Sequence, residues 1–179
     1  MFIIIVVINI LKKEESTKIT KKSIFAIVEC ALFVVAILFM IAPSLRASVE
    51  WMGVTETHEI NGFEIAFGSD EEALSFSFVA FLAFLFLIVG AVLSCCKLFV
   101  KDAKIQMIFN IVILVVGILA GIFFFCAKTT MMVKVDDLNS DQVSAMLKYY
   151  DMGVGAIFCG ILAIAGGAVA CVDQFVIKE

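Results

Sequence analysis

The sequence predicts an all-α membrane protein, a four-transmembrane-helix bundle with a small β-hairpin in the first loop outside the membrane. The first observation is composition: of 179 residues, 63% are hydrophobic and 17% are charged, and the mean hydropathy is +1.14. Soluble domains are about half apolar and about a quarter charged, so this chain has too little polar surface to cover a globule in water. The other two observations are four long apolar runs and one Asn-Gly pair between β-favouring runs.

Four apolar segments are long enough to cross roughly 30 Å of hydrocarbon, which takes about 20 helical residues. A backbone in lipid must satisfy its own hydrogen bonds, so each segment is predicted to be a helix. The predicted spans are 23–42, 76–94, 107–127 and 152–172. Between them lie a cytoplasmic N-terminal segment 1–22, an outer loop 43–75, a cytoplasmic link 95–106, a second outer loop 128–151 and a cytoplasmic tail 173–179.

The lysine and arginine residues near the span ends predict the orientation. Nine of the 13 lie in segments 1–22, 95–106 and 173–179, and four lie in the other two loops. Because basic residues collect on the cytoplasmic side, both termini are predicted to be cytoplasmic in a multi-pass membrane protein. The first outer loop carries seven acidic residues against Arg46, which gives it a net charge of −6.

Three shorter segments are interpreted separately. Residues 1–11 are apolar but too short to span, and no basic residue precedes them, so they fit an upstream start-codon artefact or a disordered, weakly membrane-associated tail. In the second outer loop, apolar residues recur at helical spacing from Val143 to Tyr150, which predicts a short amphipathic helix in the outer interface. Cys95 and Cys96 lie where a palmitoylated pair would lie; the alternative is two small apolar residues in a reducing compartment.

The first outer loop is predicted to form a β-hairpin over 54–67. Its turn is expected at Asn61-Gly62, because an Asn-Gly pair between β-favouring runs suits a tight turn with positive φ. A lone hairpin is marginal in water, so its apolar side chains are expected to rest on the bundle or to dock a partner. Ser69 or Asp70 is expected to cap the following helix. The apolar set of this loop comprises Trp51, Phe63, Ile65 and Phe67.

Small residues predict how the helices pack. Lipid tails are as apolar as leucine, so membrane helices associate by close backbone contact at small side chains. The fourth span carries a stripe of small residues at alternating steps of four and three, and the third span carries a GxxxG pair. This face is expected to pack within one chain or, alternatively, to form a homodimer seam. It comprises Ala156, Gly160, Ala163, Gly167 and Ala170, with Gly117 and Gly121 on the third span.

Glu29 is the single ionisable residue inside the predicted spans. A charge at mid-span is unfavourable by roughly 2.5 to 3.5 kcal/mol, so such a residue is a candidate functional group. A proton-coupled transporter would use it to exchange a proton for a cation, and small multidrug transporters resemble this chain in having four spans and one glutamate in the first. Alternatively, Glu29 bonds to Gln106, Asn110 or Ser94 and fixes the helix register.

No motif in the sequence favours catalysis or a cofactor. There is no Ser/His or Cys/His set, no Gly-rich loop before a helix and no cluster of metal ligands around His58, the single histidine. The acidic balance argues against nucleic acid as a partner. The expected partners are the lipid bilayer and another membrane protein or a second copy of the chain. The expected function is a non-enzymatic structural or interaction component; the alternative is a small transporter or channel with Glu29 as the coupling carboxylate.

The layout resembles two groups of proteins. Inside termini, a long first outer loop with Trp51 and a shorter second loop resemble the claudin-type tetraspan layout, without the Gly-Leu-Trp and the two cysteines of the claudin loop. The segment from Asn61 to Gly68 resembles a Ser/Asn-Gly-Phe-x-x-x-Phe-Gly segment in small uncharacterised bacterial four-span membrane proteins. This resemblance implies a four-helix fold in a bacterial inner membrane and implies no mechanism.

Overall fold

The structure, a computed structural model, describes residues 21–51, 54–70, 74–100, 102–130, 132–133 and 148–175. These ranges are mostly helical and include a small antiparallel sheet. The elements are α1 (Lys21–Phe39), β1 (Pro43–Trp51), β2 (Val54–Asn61), α2 (Gly62–Phe67), β3 (Leu74–Ser75), α3 (Phe78–Lys97), α4 (Ala103–Phe125), α5 (Ala127–Thr130), β4 (Met132–Val133), β5 (Tyr150–Met152) and α6 (Val154–Phe175).

Three helices in the described ranges are long and apolar enough to cross a membrane: α3, α4 and α6. They have 20, 23 and 22 residues, or about 30 to 35 Å at the usual helical rise. The apolar part of α1, Ser23–Phe39, is shorter than these. The structure therefore gives three membrane-length helices and one shorter apolar helix where the sequence predicted four spans.

Helix α1 ends three residues before the predicted span does. Its α-helical bonding stops at Phe39, and the next three amides bond to the carbonyl three residues earlier, ending with Ala42 N to Phe39 O at 3.1 Å. Pro43 follows this tight turn and disfavours a helical backbone in the residue before it. The chain then enters β1 directly.

The four long helices form a ring in which α1 packs on α3 and α6, and α4 also packs on α3 and α6. The Phe33 side chain is fully buried inside this ring. A Cβ atom added at Gly90 of α3 or at Gly166 of α6 would lie 2.7 or 2.8 Å from the Phe33 ring. The ring thus fills the space that these two glycines leave open.

The small-residue face is buried within the chain, where α4 and α6 make the most extensive helix contact. A Cβ atom at Gly117 would lie 2.6 Å from the Ala163 carbonyl oxygen, and one at Gly121 would lie 3.0 Å from the Gly160 carbonyl oxygen. The two backbones therefore approach at distances that only glycine permits. Gly167, Ala156 and Ala170 are buried along the same stripe.

A three-stranded antiparallel sheet of order β2-β1-β5 covers one end of the ring. Strand β1 follows α1 and strand β5 precedes α6, so the sheet joins two segments far apart in sequence. Its middle strand alternates: Leu45 and Ala47 are buried, while Arg46 is exposed and pairs with Glu59 across the β1–β2 ladder. A second pair, β3 with β4, joins the segments before α3 and after α4. We call this end the cap end, and the end where α3 connects to α4 the link end.

The junction between β5 and α6 depends on glycine. The Gly153 amide donates to the Ser44 carbonyl at 2.8 Å, and a Cβ atom at Gly153 would lie 2.2 Å from the Pro43 carbonyl oxygen. Gly155, the second residue of α6, is similarly close to the chain, since a Cβ atom there would lie 2.4 Å from the Ala42 carbonyl oxygen. These contacts anchor the start of α6 to the junction between α1 and β1.

The predicted turn at Asn61-Gly62 is wrong. The hairpin in this loop is formed by β1 and β2, whose terminal pair is Trp51 with Val54. Asn61 instead caps helix α2: its Oδ1 accepts from the Glu64 amide at 2.9 Å, and Glu64 Oε2 accepts from the Asn61 amide at 2.9 Å. This reciprocal capping box satisfies two amides that a hairpin turn would leave to water, so Phe63 to Phe67 form a helix and not a strand.

The predicted cap of α3 at Ser69 or Asp70 is also wrong. The Ser69 backbone forms two hydrogen bonds with Leu74, a bridge that bends the chain away from a helical path. Ser77 caps α3, and its Oγ accepts from the Ala80 amide at 3.4 Å. Ser77 directly precedes the uninterrupted apolar run, which is where an N-cap residue belongs.

Tyr150 lies in strand β5 and not on an amphipathic helix. It is opposite Ala47 of β1 and 7% exposed, because pairing with β1 satisfies its backbone and buries its ring. The rest of the predicted helix, the apolar segment 1–11 and the C-terminal tail beyond 175 lie outside the described residues.

Candidate functional site

A buried group of charged and amide side chains lies near the link end of the bundle. Lys97 Nζ is 2.7 Å from Glu29 Oε1 and 2.7 Å from Asp173 Oδ2. The side chains of Lys97, Glu29 and Asp173 are 3%, 0% and 4% exposed, which is rare for charged groups. We call these three residues with Asn110 and Gln174 the charged cluster.

Each of the four long helices contributes to the charged cluster. Glu29 lies in the third turn of α1, Lys97 is the last residue of α3, and Asp173 lies in the last turn of α6. Asn110 of α4 donates from Nδ2 to Asp173 Oδ2 at 3.3 Å and to Gln174 Oε1 at 3.1 Å. The cluster therefore connects all four long helices.

The charges of the cluster do not cancel. Two carboxylates face one ammonium group, so the ionised cluster carries a net charge of −1. Three of its buried oxygen atoms have no hydrogen-bond partner in the described structure: Glu29 Oε2, Asn110 Oδ1 and Asp173 Oδ1. A buried acceptor without a partner is unfavourable by about 1–3 kcal/mol. The cluster therefore has the capacity to accept a proton or another donor.

Each of the three predicted partners of Glu29 forms a hydrogen bond to another group. Gln106 Nε2 donates to the Val100 carbonyl in the link between α3 and α4. The Ser94 hydroxyl donates to the Gly90 carbonyl of its own helix at 2.8 Å. Asn110 joins the cluster, and its side-chain amide donates to Asp173 and Gln174 of α6.

Two members of the cluster, Lys97 and Asp173, were missed by the sequence reasoning. Lys97 was counted as an orienting charge of the link, and Asp173 was assigned to the tail. Helical spacing could have indicated that both residues are buried, because residues three apart lie on the same face of a helix. Asp173 follows Ala170 by three and so continues the small-residue stripe, and Lys97 follows buried Ser94 by three.

At the cap end, the predicted partner surface packs largely on α3. Ile65 is 2% exposed. The Phe63 ring is 5.6 Å from the Phe84 ring, and the half-exposed Phe67 ring makes edge-to-face contacts with Phe81 and Phe84 at 5.6 Å each. Trp51 ends strand β1, and its side chain lies outside the described part of the chain. The aromatic residues of α2 thus mainly pack the first loop against α3.

In the described ranges, no group of three or more histidine, cysteine, aspartate or glutamate residues could hold a metal ion. Comparison with known proteins finds no matching family model, no matching curated protein and no matching solved structure. The function is therefore inferred from the charged cluster, the cap and the helix lengths.

Proposed function

We propose that this chain is a four-span integral protein of a bacterial plasma membrane and acts as a non-enzymatic structural or interaction component. The observation that carries the proposal is the charged cluster, because its three ionisable side chains are sealed from solvent and, with Asn110, connect all four helices. A buried ion network that joins several helices fixes one register among them, as buried polar groups do in helical assemblies.

Helix α1 is proposed as the fourth span despite its shorter apolar part. Near the link end it contributes Glu29 to the cluster, and at the cap end its Phe39 ring stacks on Phe158 of α6 with centroids 5.0 Å apart. Helix α1 packs on α6 and reaches from the charged cluster to the cap end, which supports its assignment as a span. The tight turn that ends in Ala42 extends it further.

The cap end is proposed to lie outside the cell and the link end in the cytoplasm. Nine basic residues lie in the segments at the link end and four lie in the loops at the cap end, and basic residues collect on the cytoplasmic side. Lys97 is one of the nine and is buried in the cluster, but eight against four predicts the same orientation. The exposed residues Arg46, Ser48 and Glu59 would then face the outside.

Thiol labelling tests the orientation in a variant that lacks the six native cysteines. Ser48→Cys lies on the exposed side of β1, and Lys104→Cys lies on the exposed first turn of α4. A membrane-impermeant maleimide added to intact cells should label Ser48→Cys, whereas Lys104→Cys should need permeabilised cells. The reverse pattern, or equal labelling of both sites in intact cells, would overturn the proposed orientation.

One observation favours a second function, a small transporter or channel with Glu29 as the coupling carboxylate. Two carboxylates share one lysine, and three cluster oxygens lack a partner in the described structure. Such a group could load and release a proton if a conformational change admitted water to it. Against this function, Glu29 is fully buried in the structure.

Flux measurements in proteoliposomes decide between the two functions. Liposomes with the purified protein and an internal pH-sensitive dye are given a pH gradient and then sodium or potassium outside. A structural component should give the flux of protein-free liposomes, and Glu29→Gln should not alter it. A flux that the wild type has, Glu29→Gln lacks and Glu29→Asp regains would establish transport. As a folding control, each variant must elute from a size-exclusion column as a single species.

A further inference from the structure

Two cysteines of different helices lie beside the charged cluster. Cys30 of α1 and Cys95 of α3 are separated by 65 residues, and their Sγ atoms are 3.0 Å apart. Both side chains are half-buried, and both thiols are free. A disulfide joins sulfur atoms at about 2.05 Å, so a relative shift of about 1 Å would bring these two to bonding distance.

The ion pair of the cluster holds this thiol pair in place. Cys30 directly follows Glu29, and Cys95 precedes Lys97 by two residues. The Glu29–Lys97 contact therefore fixes the spacing of the same two helical turns that carry the thiols. Once one of the two sulfur atoms carries a mixed disulfide, the neighbouring thiolate attacks it faster than a thiol of a second molecule does, because the encounter is intramolecular.

We propose that Cys30 and Cys95 are a modification site that forms a reversible disulfide between α1 and α3. The oxidant is a small disulfide. One protein thiol attacks it as the thiolate, forming a mixed disulfide and releasing one small thiol. The second protein thiolate then attacks the protein sulfur of that mixed disulfide and releases the second small thiol. The protein loses two electrons and two protons, and the small disulfide gains both.

The position of the pair suits reversible oxidation. Cytosolic thiols are kept reduced and form disulfides transiently, so a pair near the cytoplasmic end of the bundle would be thiols at rest and a disulfide under oxidative stress. The other four cysteines have no sulfur–sulfur contact within the described structure: Cys96 and Cys126 are exposed, Cys171 is half-buried, and Cys159 is buried with its Sγ 3.1 Å from the Ala36 carbonyl oxygen.

The test uses the purified full-length protein in mild detergent and 2,2′-dithiodipyridine as the small disulfide. The expected product is a Cys30–Cys95 cross-link, identified by peptide mass spectrometry as the loss of two hydrogens and reversed by dithiothreitol. Each cross-link should consume one molecule of reagent and release two molecules of pyridine-2-thione. The thermal midpoint of the oxidised protein should rise by several degrees, because the bond closes a long loop of the unfolded chain.

Single variants give the controls. Cys30→Ser and Cys95→Ser should lose the cross-link and keep the remaining thiol as a pyridyl mixed disulfide. Cys96→Ser, which alters the exposed neighbour of Cys95, should form the cross-link as the wild type does. The proposal is overturned if folded wild type carries separate pyridyl groups on Cys30 and Cys95, leaves both thiols unreacted, or joins either of them to Cys96 instead.

Discussion

Lys97 is central to the charged cluster, because its one ammonium group contacts two buried carboxylates. In a low-dielectric interior an ion pair adds little net stability compared with apolar side chains of the same shape. Removing one partner is different, since the charges that remain are buried without compensation. Lys97 is therefore the residue at which a single substitution should affect the bundle most.

We expect Lys97→Met to destabilise the protein by about 3–5 kcal/mol, because Glu29 and Asp173 would be left as two uncompensated carboxyl groups. Chemical unfolding in mild detergent, followed by circular dichroism, measures this loss. The matched control is Lys104→Met, since Lys104 is exposed in the first turn of α4. A triple variant with Glu29→Gln, Lys97→Met and Asp173→Asn should recover much of the loss. Equal stability of Lys97→Met and Lys104→Met would contradict the role of the ion pairs.

The sequence singled out Glu29 because it interrupts an apolar run, and the structure buries it fully. Lys97 and Asp173 could not be recognised in the same way, since each lies where a predicted span meets the polar segments and charges are common there. That the side chains of Lys97 and Asp173 point into the bundle can be inferred only when the buried faces of α3 and α6 are known. The ion pairs also join residues 68 and more positions apart, which no local pattern encodes.

Helices α4 and α6 depend on close backbone approach. The Ala163 carbonyl oxygen lies 2.6 Å from where a Cβ atom at Gly117 would stand, and the Ala163 side chain is fully buried. Adding volume to such a contact forces the helices apart or the side chains out of their preferred rotamers, typically at about 1–3 kcal/mol.

Two valine substitutions on the same helix separate packing from helix propensity. Ala163→Val should destabilise the protein by about 1–3 kcal/mol, because Ala163 lies between α6 and α4. Ala168→Val makes the same chemical change on the exposed face of α6 and should leave stability within about 0.5 kcal/mol. Thermal unfolding in detergent provides the comparison. If the two variants lose stability equally, α6 does not use this face for close packing.

The first loop illustrates a conflict between two local signals. Asn61-Gly62 suits a tight hairpin turn, but Asn61 followed three residues later by Glu64 also suits a capping box. The capping box prevails because the chain gains a helix whose aromatic residues Phe63 and Phe67 pack on Phe84. Propensity alone does not rank the two outcomes, since the deciding contacts come from α3.

At the scale of the whole molecule, both long loops belong to one structure at the cap end. Strand β1 pairs with β5 in the register Leu45 with Met152, Arg46 with Asp151 and Ala47 with Tyr150. Composition and apolar runs were sufficient to predict a membrane protein and the three membrane-length helices of the described ranges. They could not predict this sheet, because β5 has three residues and its partner strand lies about a hundred residues earlier.

A cross-link between the loops tests this register. In the cysteine-free background, Arg46→Cys with Asp151→Cys should form a disulfide in air, because directly opposed residues of an antiparallel pair have Cβ atoms about 4.5–5.5 Å apart. Arg46→Cys with Tyr149→Cys is the matched control, two residues out of register, and should cross-link much less. Proteolysis between the loops followed by non-reducing electrophoresis reports the bond. Equal cross-linking of both pairs would mean that β5 does not hold this register.

The shared sheet sets an order for biosynthesis. A chain leaves the ribosome from its N-terminus, so β1 and β2 can pair while α4 is still being made. Strand β5 is synthesised more than eighty residues after β2, immediately before α6, and the Gly153 amide that follows it bonds to the Ser44 carbonyl at the start of β1. The edge of β1 that β5 occupies is therefore unpaired until the last helix begins to insert. Nascent chains that stop before α6 expose that edge, which gives a quality-control protease or chaperone a structural mark of incomplete insertion.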